Sequence, residues 1–546
     1  MPDIQPQTQP QLPEAAPDEV ALLIDDRPVV VKKGTTVLQA AEKAGLLIPH
    51  YCYHPGLSIA GNCRMCLIEI EKMPKLQIGC ATLASQGMVV RTASDRVKNT
   101  REGIMEFLLI NHPLDCPICD QAGECRLQQY AHDYGAGESR FTEEKVHSPK
   151  RVDIGRHVMF DAERCIKCTR CVRFTDEVSK SHELGLFERG DHAIIGTFPD
   201  RPLDNPYSGN TVDICPVGAL TWKPFRFRTR VWFLKDVASV CAGCARGCNV
   251  NLSVFDNRIR RMTPRFNDQV NDWWMCDPGR QSFEPLYDKP RLESAMVRPA
   301  GGSAAAAPAA VRDALDAAAA RLRGLGSGKS AEALAAIVSA RLTLEDLHLA
   351  ATVLRDTIGI RRIAVPVHEE GEDDGLLIRC DKTPNARGAA LLGIGAPDAG
   401  RVREIAAGIA AGKVRGLVVI GEDPVGDGLL DAATLRKLDA LVVIDWWNSP
   451  TVAAAHVALP CSGYGEAEGV YVSFQGRAQL SRAAVRPRRE LTPAWKLLEG
   501  LGHCFGLAAE FRSPAAVFDD LAARVPAFAG LSYRILGDSG ALLKES

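Results

Sequence analysis

Fifteen of the eighteen cysteines in this chain lie between residues 52 and 276, and one histidine completes sixteen candidate metal ligands. C-x2-C runs in a long chain without an export signal favour metal ligation over disulfides. Sixteen ligands make four four-coordinate sites. The sets are Cys52, Cys63, Cys66 and Cys80; His112, Cys116, Cys119 and Cys125; Cys165, Cys168, Cys171 and Cys215; and Cys241, Cys244, Cys248 and Cys276. Cys380, Cys461 and Cys504 are isolated in the second half.

The first and third sets have the spacing of ferredoxin clusters. Plant-type ferredoxins hold a [2Fe-2S] cluster with C-x4-C-x2-C and a remote fourth cysteine. The first set keeps the C-x2-C and the remote ligand but lengthens the first gap to ten residues. In the third set, Thr175 stands where a fourth C-P pair would close the bacterial run, and Cys215-Pro216 supplies that pair downstream. One [4Fe-4S] cluster is therefore expected there.

The second set needs His112 as its fourth ligand. Three cysteines within ten residues leave a four-iron cluster one ligand short, and no spare cysteine lies nearby. A lone histidine is more often a capping or core residue, but the H-x3-C-x2-C-x5-C context favours ligation. Imidazole is neutral where thiolate is anionic, so this ligand should raise the potential of the cluster, as histidine does in Rieske centres.

The fourth set has the spacing C-x2-C-x3-C-x27-C. It resembles the N-terminal cluster module of molybdopterin oxidoreductases, which implies a third [4Fe-4S] cluster. Structural zinc held by four cysteines remains the alternative for this set and for the first.

The elements that position these ligands can be predicted from local patterns. Strand signals at residues 20–24 and 29–31, a helix ending at Gly45 and a strand at residues 67–71 fit a small β-grasp domain, and an amphipathic helix at residues 96–111 precedes His112. In the second half, strands at residues 335–340, 417–420 and 441–445 alternate with helices at residues 344–359 and 401–411, which indicates a parallel α/β sheet. An Ala/Gly-rich linker with one helix at residues 310–322 separates the halves.

Bulk properties exclude two classes of function. The formal net charge is −2 and Lys and Arg are dispersed, so no electrostatic footprint for nucleic acid is present. No apolar run approaches the roughly 18 residues needed to cross a bilayer. The first 19 residues are acidic and rich in Pro and Gln, which predicts a disordered tail rather than a targeting peptide.

Four stretches together resemble one family. They are IPHYCYHPGLSIAGNCRMCLIEIE, REGIMEFLLINHPLDCPICDQAGECRLQQ, and RCIKCTRCVRF with DICPVGALTWKPF. They are similar to the large iron-sulfur subunit of respiratory complex I, NADH-quinone oxidoreductase, and the resemblance covers residues 20–285. It implies that all sixteen residues ligate iron, as one [2Fe-2S] and three [4Fe-4S] clusters. The intact fourth set points to a bacterial form, since the resemblance implies that mitochondrial members lack it.

Motifs in the second half resemble those of molybdopterin-binding domains, but only partly. GEDP at residues 421–424 resembles the GENP motif of that family. The segment at residues 458–479 resembles its LP-x-E-x-GTF-x-N-x-EGR motif, but Val470 and Tyr471 replace the Thr and Phe, Ser473 replaces the Asn and Gln475 replaces the Glu. Only about 270 residues follow the fourth set, and no residue is well placed to ligate molybdenum. We expect an α/β scaffold without molybdopterin.

The expected fold class is a multidomain α+β and α/β chain. The predicted domains are a disordered tail (1–19), a β-grasp [2Fe-2S] ferredoxin domain (20–100), a small helical domain with one His and three Cys ligands (101–145), a ferredoxin-like [4Fe-4S] domain (146–230), a [4Fe-4S] module of molybdopterin-oxidoreductase type (231–290), a linker (291–330) and a truncated molybdopterin-domain-like scaffold (331–546).

The resemblance implies an electron-transfer subunit without a substrate site of its own. Electrons would enter from a flavin-bearing NADH-binding subunit and leave toward quinone, within a complex that pumps protons. The implied partners are the other peripheral-arm subunits and, indirectly, the membrane arm; the implied location is peripheral, on the cytoplasmic face of the bacterial inner membrane. The alternative is the iron-sulfur subunit of an NAD-linked hydrogenase or formate dehydrogenase, which often carries the same first modules.

Overall fold

The computed structural model describes residues 12–299, 305–326 and 328–544. It divides into two compact units, residues 1–233 and 234–546. The first eleven residues of the predicted tail, and residues 300–304 and 327 of the predicted linker, lie outside the described residues. The first three cysteine-containing sets therefore belong to the first unit and the fourth set to the second.

The first unit contains ten strands and five α-helices among its described residues. In chain order they are β1 Glu19–Ile24, β2 Arg27–Lys32, α1 Val37–Lys43, β3 Leu67–Ile70, β4 Gln77–Ile78, β5 Val89–Arg91, α2 Asp95–Leu109, α3 Arg126–Tyr134, β6 Val152–Asp153, β7 Val158–Phe160, α4 Arg170–Glu177, β8 Leu184–Phe187, β9 Ile194–Thr197, α5 Asn210–Asp213 and β10 Leu220–Trp222. Short 3-10 turns lie at Cys116–Ile118, Gly190–His192 and Val231–Phe233.

The first sheet has the order β2-β1-β5-β3-β4. β1 pairs antiparallel with β2 and parallel with β5, and α1 follows β2 in the chain. α1 begins at a capping box, in which Thr36 and Gln39 satisfy each other's backbone amides. Val37, Leu38 and Ala41 of α1 are buried against this sheet. The strand-turn-strand-helix order predicted from the sequence is present.

The remainder of the first unit packs around a second apolar cluster. A sheet of order β10-β7-β6 and the hairpin β8-β9 frame α4 and α5. The cluster contains Tyr51, Met65 and Met105 together with three candidate ligands, Cys52 and the pair Cys168 and Cys171. Cys52 of the first set therefore shares a core with the third set, whereas Cys66 and Cys80 belong to the cluster around the first sheet.

The second unit begins with a three-stranded meander and continues with an α/β domain. Its elements are β11 Lys235–Val240, β12 Asn249–Phe255, β13 Arg258–Pro264, α6 Asp277–Gln281, α7 Pro285–Asp288, β14 Ala295–Val297, β15 Ala307–Ala309, α8 Val311–Arg323, β16 Leu334–Val338, α9 Leu344–Ala350, β17 Arg362–Ala364, α10 Ala386–Leu391, α11 Ala399–Ala410, β18 Gly416–Ile420, α12 Ala432–Leu435, β19 Ala440–Asp445, α13 Pro450–Ala454, β20 Val457–Pro460, β21 Gly469–Val472, β22 Arg477–Ser481, α14 Ala494–Cys504, α15 Pro514–Arg524, α16 Tyr533–Leu536 and β23 Ala541–Leu542.

The central sheet of this unit has seven strands in the order β15-β14-β20-β19-β18-β16-β17. The five strands from β20 to β17 run parallel, and β14 and β15 add an antiparallel edge. β16, β18 and β19 are buried along their whole length, because helices cover both faces of a parallel sheet.

Two predicted segments differ in detail from the structure. The segment 291–330, expected as a linker, contributes β14 and β15 to the central sheet and α8 to its packing, with Ala314, Ala318 and Leu322 fully buried. The helix predicted at residues 344–359 begins as α9 at a Thr343 capping box and continues as a π-helix over Ala351–Ile358. Composition alone does not reveal that small residues are packed.

No helix within the described residues is both long and apolar enough to cross a bilayer.

Glu345 of α9 ties three elements of the second unit together. Its carboxylate accepts hydrogen bonds from Val470 N at 2.9 Å and from the Tyr533 hydroxyl at 2.8 Å. Burial raises the pKa of Glu345 from 4.5 to about 8, with the hydrogen bonds opposing that rise. The folded state therefore holds a proton that the unfolded chain releases above about pH 4.5.

We expect this proton to make stability pH-dependent. The contribution is fully present below about pH 4.5 and is lost as the pH rises toward 8, by an amount on the order of a few kcal/mol. Glu345→Gln, which cannot ionise, should flatten the decline of the thermal unfolding midpoint between about pH 5 and 8. Glu404→Gln, on the exposed side of α11, is the control and should leave the slope unchanged. An unaltered slope in Glu345→Gln would contradict the assignment.

Candidate metal centres

The first set forms two close pairs of thiols. Cys52, Cys66 and Cys80 are buried on the loops around α1 and β3, and Cys63 is partly buried. A hydrogen bond with Cys63 lowers the pKa of Cys52 to about 5, and a hydrogen bond with Cys80 lowers the pKa of Cys66. Cys52 also interacts electrostatically with Cys66 and Cys80, so the two pairs are neighbours. The structure brings all four predicted ligands together.

Backbone amides point at the sulfur atoms of three sets. An amide that donates to a sulfur stabilises negative charge there, and such bonds tune the reduction potential of a cluster. In the third and fourth sets the donor often lies two or three residues after the cysteine, where the chain turns sharply. The bonds are Tyr51 N and Cys52 N to Cys63 Sγ at 3.4 Å each, Lys167 N to Cys165 Sγ at 3.4 Å, Gly243 N to Cys241 Sγ at 3.4 Å and Gly279 N to Cys276 Sγ at 3.3 Å.

The second set lies between α2 and α3. Cys116 opens a 3-10 turn and Cys125 is the N-cap residue of α3. Burial raises the pKa of Cys125, and negative charge on Cys119 and Cys116 raises it further, so these three thiols are close together. A Cβ atom on Gly218 would lie 2.2 Å from Cys119 Sγ, so glycine is required where the third set's domain meets this one.

His112 follows α2 and lies beside the same charged groups. Its backbone amide donates to Leu109 O at the helix end. Burial lowers the pKa of His112 to about 4, and positive charge on Arg164 and Lys145 contributes, so the imidazole is neutral at physiological pH. Arg164 also interacts electrostatically with Cys119, which places His112 and Cys119 around one guanidinium. A neutral imidazole is the form that ligates metal.

The third set surrounds a small cavity beside α4. Cys165 and Cys168 precede α4, Cys171 lies in its first turn, and Cys215 follows α5. All four line one small cavity whose other walls are mostly apolar, including Phe160, Ile195 and Leu220, together with Thr169 and Arg170. Burial raises the pKa of Cys165 to about 12 and that of Cys168 to about 11. Thr175 is fully buried, and its hydroxyl donates to Val172 O at 2.8 Å, so it packs in α4 rather than approaching the thiols.

Two arrangements join the three sets of the first unit. Arg173 of α4 donates from one nitrogen to Cys52 O at 2.6 Å and to Cys168 O at 3.3 Å, which links the first set to the third. Cys125 lies near enough to Cys215 to influence its pKa, and Arg126 N donates to Pro216 O at 3.1 Å, which links the second set to the third. The third set is thus in contact with both others. Sequence reasoning missed Arg173 because nothing in its local pattern marks a distant partner.

The fourth set lies where the meander of the second unit meets α6. Cys241 follows β11, Cys248 precedes β12 and Cys276 is the N-cap residue of α6. A Cβ atom on Gly279 would lie 3.1 Å from Cys276 Sγ and 3.2 Å from Cys241 Sγ, so both thiols converge on this glycine. Burial raises the pKa of Cys241 to about 11 and that of Cys276 to about 12.

A cavity of about 690 Å³ extends from the fourth set into the α/β domain. All four cysteines line it, and so does Cys461, which the sequence left isolated. Cys461 is 3% exposed, and burial raises its pKa well above the ordinary value. Cys380 and Cys504 do not line this cavity.

Sequence profiles of five families match the chain in succession. They are the 2Fe-2S iron-sulfur cluster binding domain at residues 17–95, the NADH-ubiquinone oxidoreductase-G iron-sulfur binding region at 101–140, the ferredoxin-like domain of NADH-quinone oxidoreductase subunit 3 at 155–221, the molybdopterin oxidoreductase Fe4S4 domain at 234–288 and molybdopterin oxidoreductase at 377–503. The chain therefore combines [2Fe-2S], [4Fe-4S] and molybdopterin-oxidoreductase-type domains.

Curated proteins from bacteria and from mitochondria are similar to the same part of the chain. The G subunit of NADH-quinone oxidoreductase from Rickettsia bellii is 46% identical over 282 residues, which is 52% of this chain and 41% of that protein. NADH dehydrogenase [ubiquinone] iron-sulfur protein 1, mitochondrial, of Solanum tuberosum is 47% identical over 285 residues, 52% of this chain and 38% of that protein. The matched region spans about two fifths of these relatives. The resemblance to the large iron-sulfur subunit of complex I is confirmed.

Among solved structures, an NAD+-reducing [NiFe]-hydrogenase in the H2-reduced state is 30% identical with a TM-score of 0.35; the match covers 39% of this chain and 91% of that one.

Gly218 offers a test of the packing between the second and third sets. In Gly218→Ala the new methyl group would have to occupy the position of Cys119 Sγ, so the second set should fail to hold its metal. We expect the purified variant to contain less iron per chain and to absorb less visible light than the wild type. Gly103→Ala is the matched control, because a Cβ atom there meets nothing within 4 Å. Equal iron content in the two variants would show that metal binding does not depend on the close approach of Gly218 to Cys119 Sγ.

Proposed function

We propose that this chain, as a relative of the G subunit of NADH-quinone oxidoreductase, carries electrons through iron-sulfur clusters from a flavin-bearing NADH-oxidising subunit toward quinone. The observation that carries this proposal is the contact between three ligand sets inside one unit, through Arg173 and through the Cys125–Cys215 neighbourhood. Electron tunnelling declines steeply with distance, so a conducting protein must hold its redox centres in a closely spaced series. The chain itself contributes no substrate site and belongs to a larger enzyme.

The first set fits a [2Fe-2S] cluster better than zinc. A single tetrahedral zinc ion, with Zn–S bonds of about 2.3 Å, would hold four thiolates at equal separations. The observed thiols instead form the pairs Cys52/Cys63 and Cys66/Cys80, which suits two irons with two protein ligands each. The other three sets would each hold a [4Fe-4S] cluster, for about fourteen iron atoms in total. The α/β domain would hold no molybdopterin.

The spatial order of the sets suggests a route that differs from chain order. Because the third set contacts both the first and the second, electrons would pass from the first set to the third and then to the second. In this route Arg173 spans the first step, between Cys52 and Cys168. The neighbouring thiols Cys125 and Cys215 span the second step.

The fourth set belongs to the second unit and to the molybdopterin-oxidoreductase-like part of the chain. We propose that it lies off the main route and that the α/β domain is a scaffold. The remaining partners would be the other peripheral-arm subunits of the complex, with the membrane arm contacted indirectly. The chain would then be peripheral, on the cytoplasmic face of a bacterial inner membrane.

Two cysteine variants separate the proposed route from the proposed side branch. Cys168→Ala and Cys241→Ala each remove a buried ligand of a candidate four-iron site. In assembled complex, Cys168→Ala should abolish NADH-driven quinone reduction but keep reduction of a soluble acceptor that takes electrons directly from the flavin. Cys241→Ala should lose one EPR signal and keep a nearly normal rate per assembled complex. Normal quinone reduction in Cys168→Ala would overturn the proposed function, and loss in Cys241→Ala would put the fourth set on the route.

The potential of the second cluster tests His112 as a ligand. His112→Cys should keep a four-iron cluster, since thiolate can bind the same iron, and the added negative charge should lower the midpoint potential. His112→Ala should leave an open iron site and a labile cluster. His132→Cys, on the exposed side of α3, is the control and should leave the potential unchanged. A redox titration monitored by EPR measures the three, and an unshifted midpoint in His112→Cys would remove the histidine from the ligand set.

A further inference from the structure

A second kind of metal-binding arrangement lies far from the sixteen ligands in sequence. His368, Glu422 and Asp427 each offer one ligand atom, and these atoms lie within 4.8 Å of one another. His368 Nε2 is 3.0 Å from Glu422 Oε2 and 3.1 Å from Glu422 Oε1. The side chains of Glu422 and His368 are 1% and 12% exposed, whereas Asp427 is exposed. Two ligands are thus fixed in the protein and the third faces open space.

The position of this cluster in the sheet is one where ligands bind. After β16 the chain adds β17 on one side and then crosses to add β18 on the other, so the strand order reverses at β16. Ligands of open α/β sheets bind at the carboxyl ends of the strands, in the crevice at such a reversal. His368 lies in the loop after β17, and Glu422 and Asp427 lie in the loop after β18. Glu422 and Asp427 also line the 690 Å³ cavity.

The loop that carries the two carboxylates is held in place by its own hydrogen bonds. Gly421 directly follows β18 and has a φ of +64°. A Cβ atom there would lie 3.0 Å from Leu342 Cδ2 and 3.3 Å from Ser339 Cβ. Asp423 accepts hydrogen bonds from Thr451 N at 3.0 Å and Thr451 Oγ1 at 2.5 Å. Asp427 N donates to Asp423 O at 2.9 Å. These hydrogen bonds fix the backbone of the loop that carries Glu422 and Asp427.

The electrostatics of this edge of the sheet also favour a cation. Asp445, at the end of β19, is 1% exposed, and its Oδ2 has no hydrogen-bond partner among the described residues. Burial raises the pKa of Asp445 well above the ordinary value, and negative charge on Glu422 and Asp423 contributes. The carboxyl groups of Glu422 and Asp423 lie near Asp445, and a bound cation would offset the repulsion among the carboxylates that are ionised.

We propose that His368, Glu422 and Asp427 bind a divalent cation of the first transition series, such as Mn²⁺ or Zn²⁺. One imidazole and two carboxylates suit these ions, because imidazole is a ligand for Zn and Fe while carboxylate suits Mn. Mg²⁺ and Ca²⁺ prefer oxygen ligands alone. Water entering from the cavity would complete the coordination. The site links the loops after β17 and β18, and it does not depend on the proposed electron route.

Mn²⁺ is the probe, since hard cations compete poorly for the cysteine thiolates that hold the clusters. The intact oxidised protein is titrated with Mn²⁺, and binding is read from the loss of the six-line EPR signal of the free ion. One Mn²⁺ should bind per chain at this site. Asp427→Asn and His368→Gln should each weaken binding by more than about tenfold. Because Asp427 is exposed, its variant is expected to fold even if substitution of buried His368 disturbs the loop.

His348→Gln is the matched control. His348 Nε2 lies 2.8 Å from Asp520 Oδ2, which is a histidine-carboxylate ion pair in the same domain without the third carboxylate. Its variant should bind Mn²⁺ as the wild type does. Two results would contradict the proposal: Asp427→Asn binds Mn²⁺ with wild-type affinity, or His348→Gln loses as much Mn²⁺ affinity as His368→Gln. In either case His368 and Glu422 would form only an ion pair. Displacement of Mn²⁺ by a tenfold excess of Mg²⁺ would overturn the assignment to a transition metal.

Discussion

Buried thiols govern the first unit of this protein. A thiol in an apolar pocket resists ionisation, and burial accordingly raises the pKa of Cys165, Cys168 and Cys171. A metal ligand must be a thiolate, so binding of iron here would release protons and place each sulfur's negative charge on a bonded metal. Cys168 and Cys171 belong to the same apolar cluster as Tyr51 and Met65. Bound iron would therefore become part of the core of this unit.

Two arginines of α4 carry positive charge that would balance the negative charge of thiolate ligands. Arg170 is buried, and burial lowers its pKa while the thiolates Cys168 and Cys215 raise it. It donates to Ile214 O, and Arg173 donates to Cys52 O and Cys168 O. A buried guanidinium without a counter-charge is costly. Anionic ligands nearby would supply the counter-charge that these guanidinium groups need. The hydrogen bonds of the two arginines also hold the ligand loops together.

Short-range patterns predicted most of the helices and strands that carry the candidate ligands, and the ligand sets themselves stay a prediction. The C-x2-C runs, the Thr36 cap and the buried strands all follow from residues close in sequence. Long-range contacts were not predictable, because no local sequence pattern indicates that Arg173 contacts Cys52. The Ala-rich segment that forms β14, β15 and α8 was expected to be a linker, since small residues leave no periodic signal of burial. The pairing of His368 with Glu422 was not predicted for the same reason, because Glu422 is remote in the chain.

Gly218 also constrains how the molecule can be made. Cys116, Cys119 and Cys125 leave the ribosome long before Gly218, yet the pocket that encloses Cys119 is finished only when the segment after Cys215 has folded against it. The pocket around Cys119 therefore cannot close until about a hundred further residues have been synthesised. Insertion of a cluster at this set would meet less obstruction before that closure than after it.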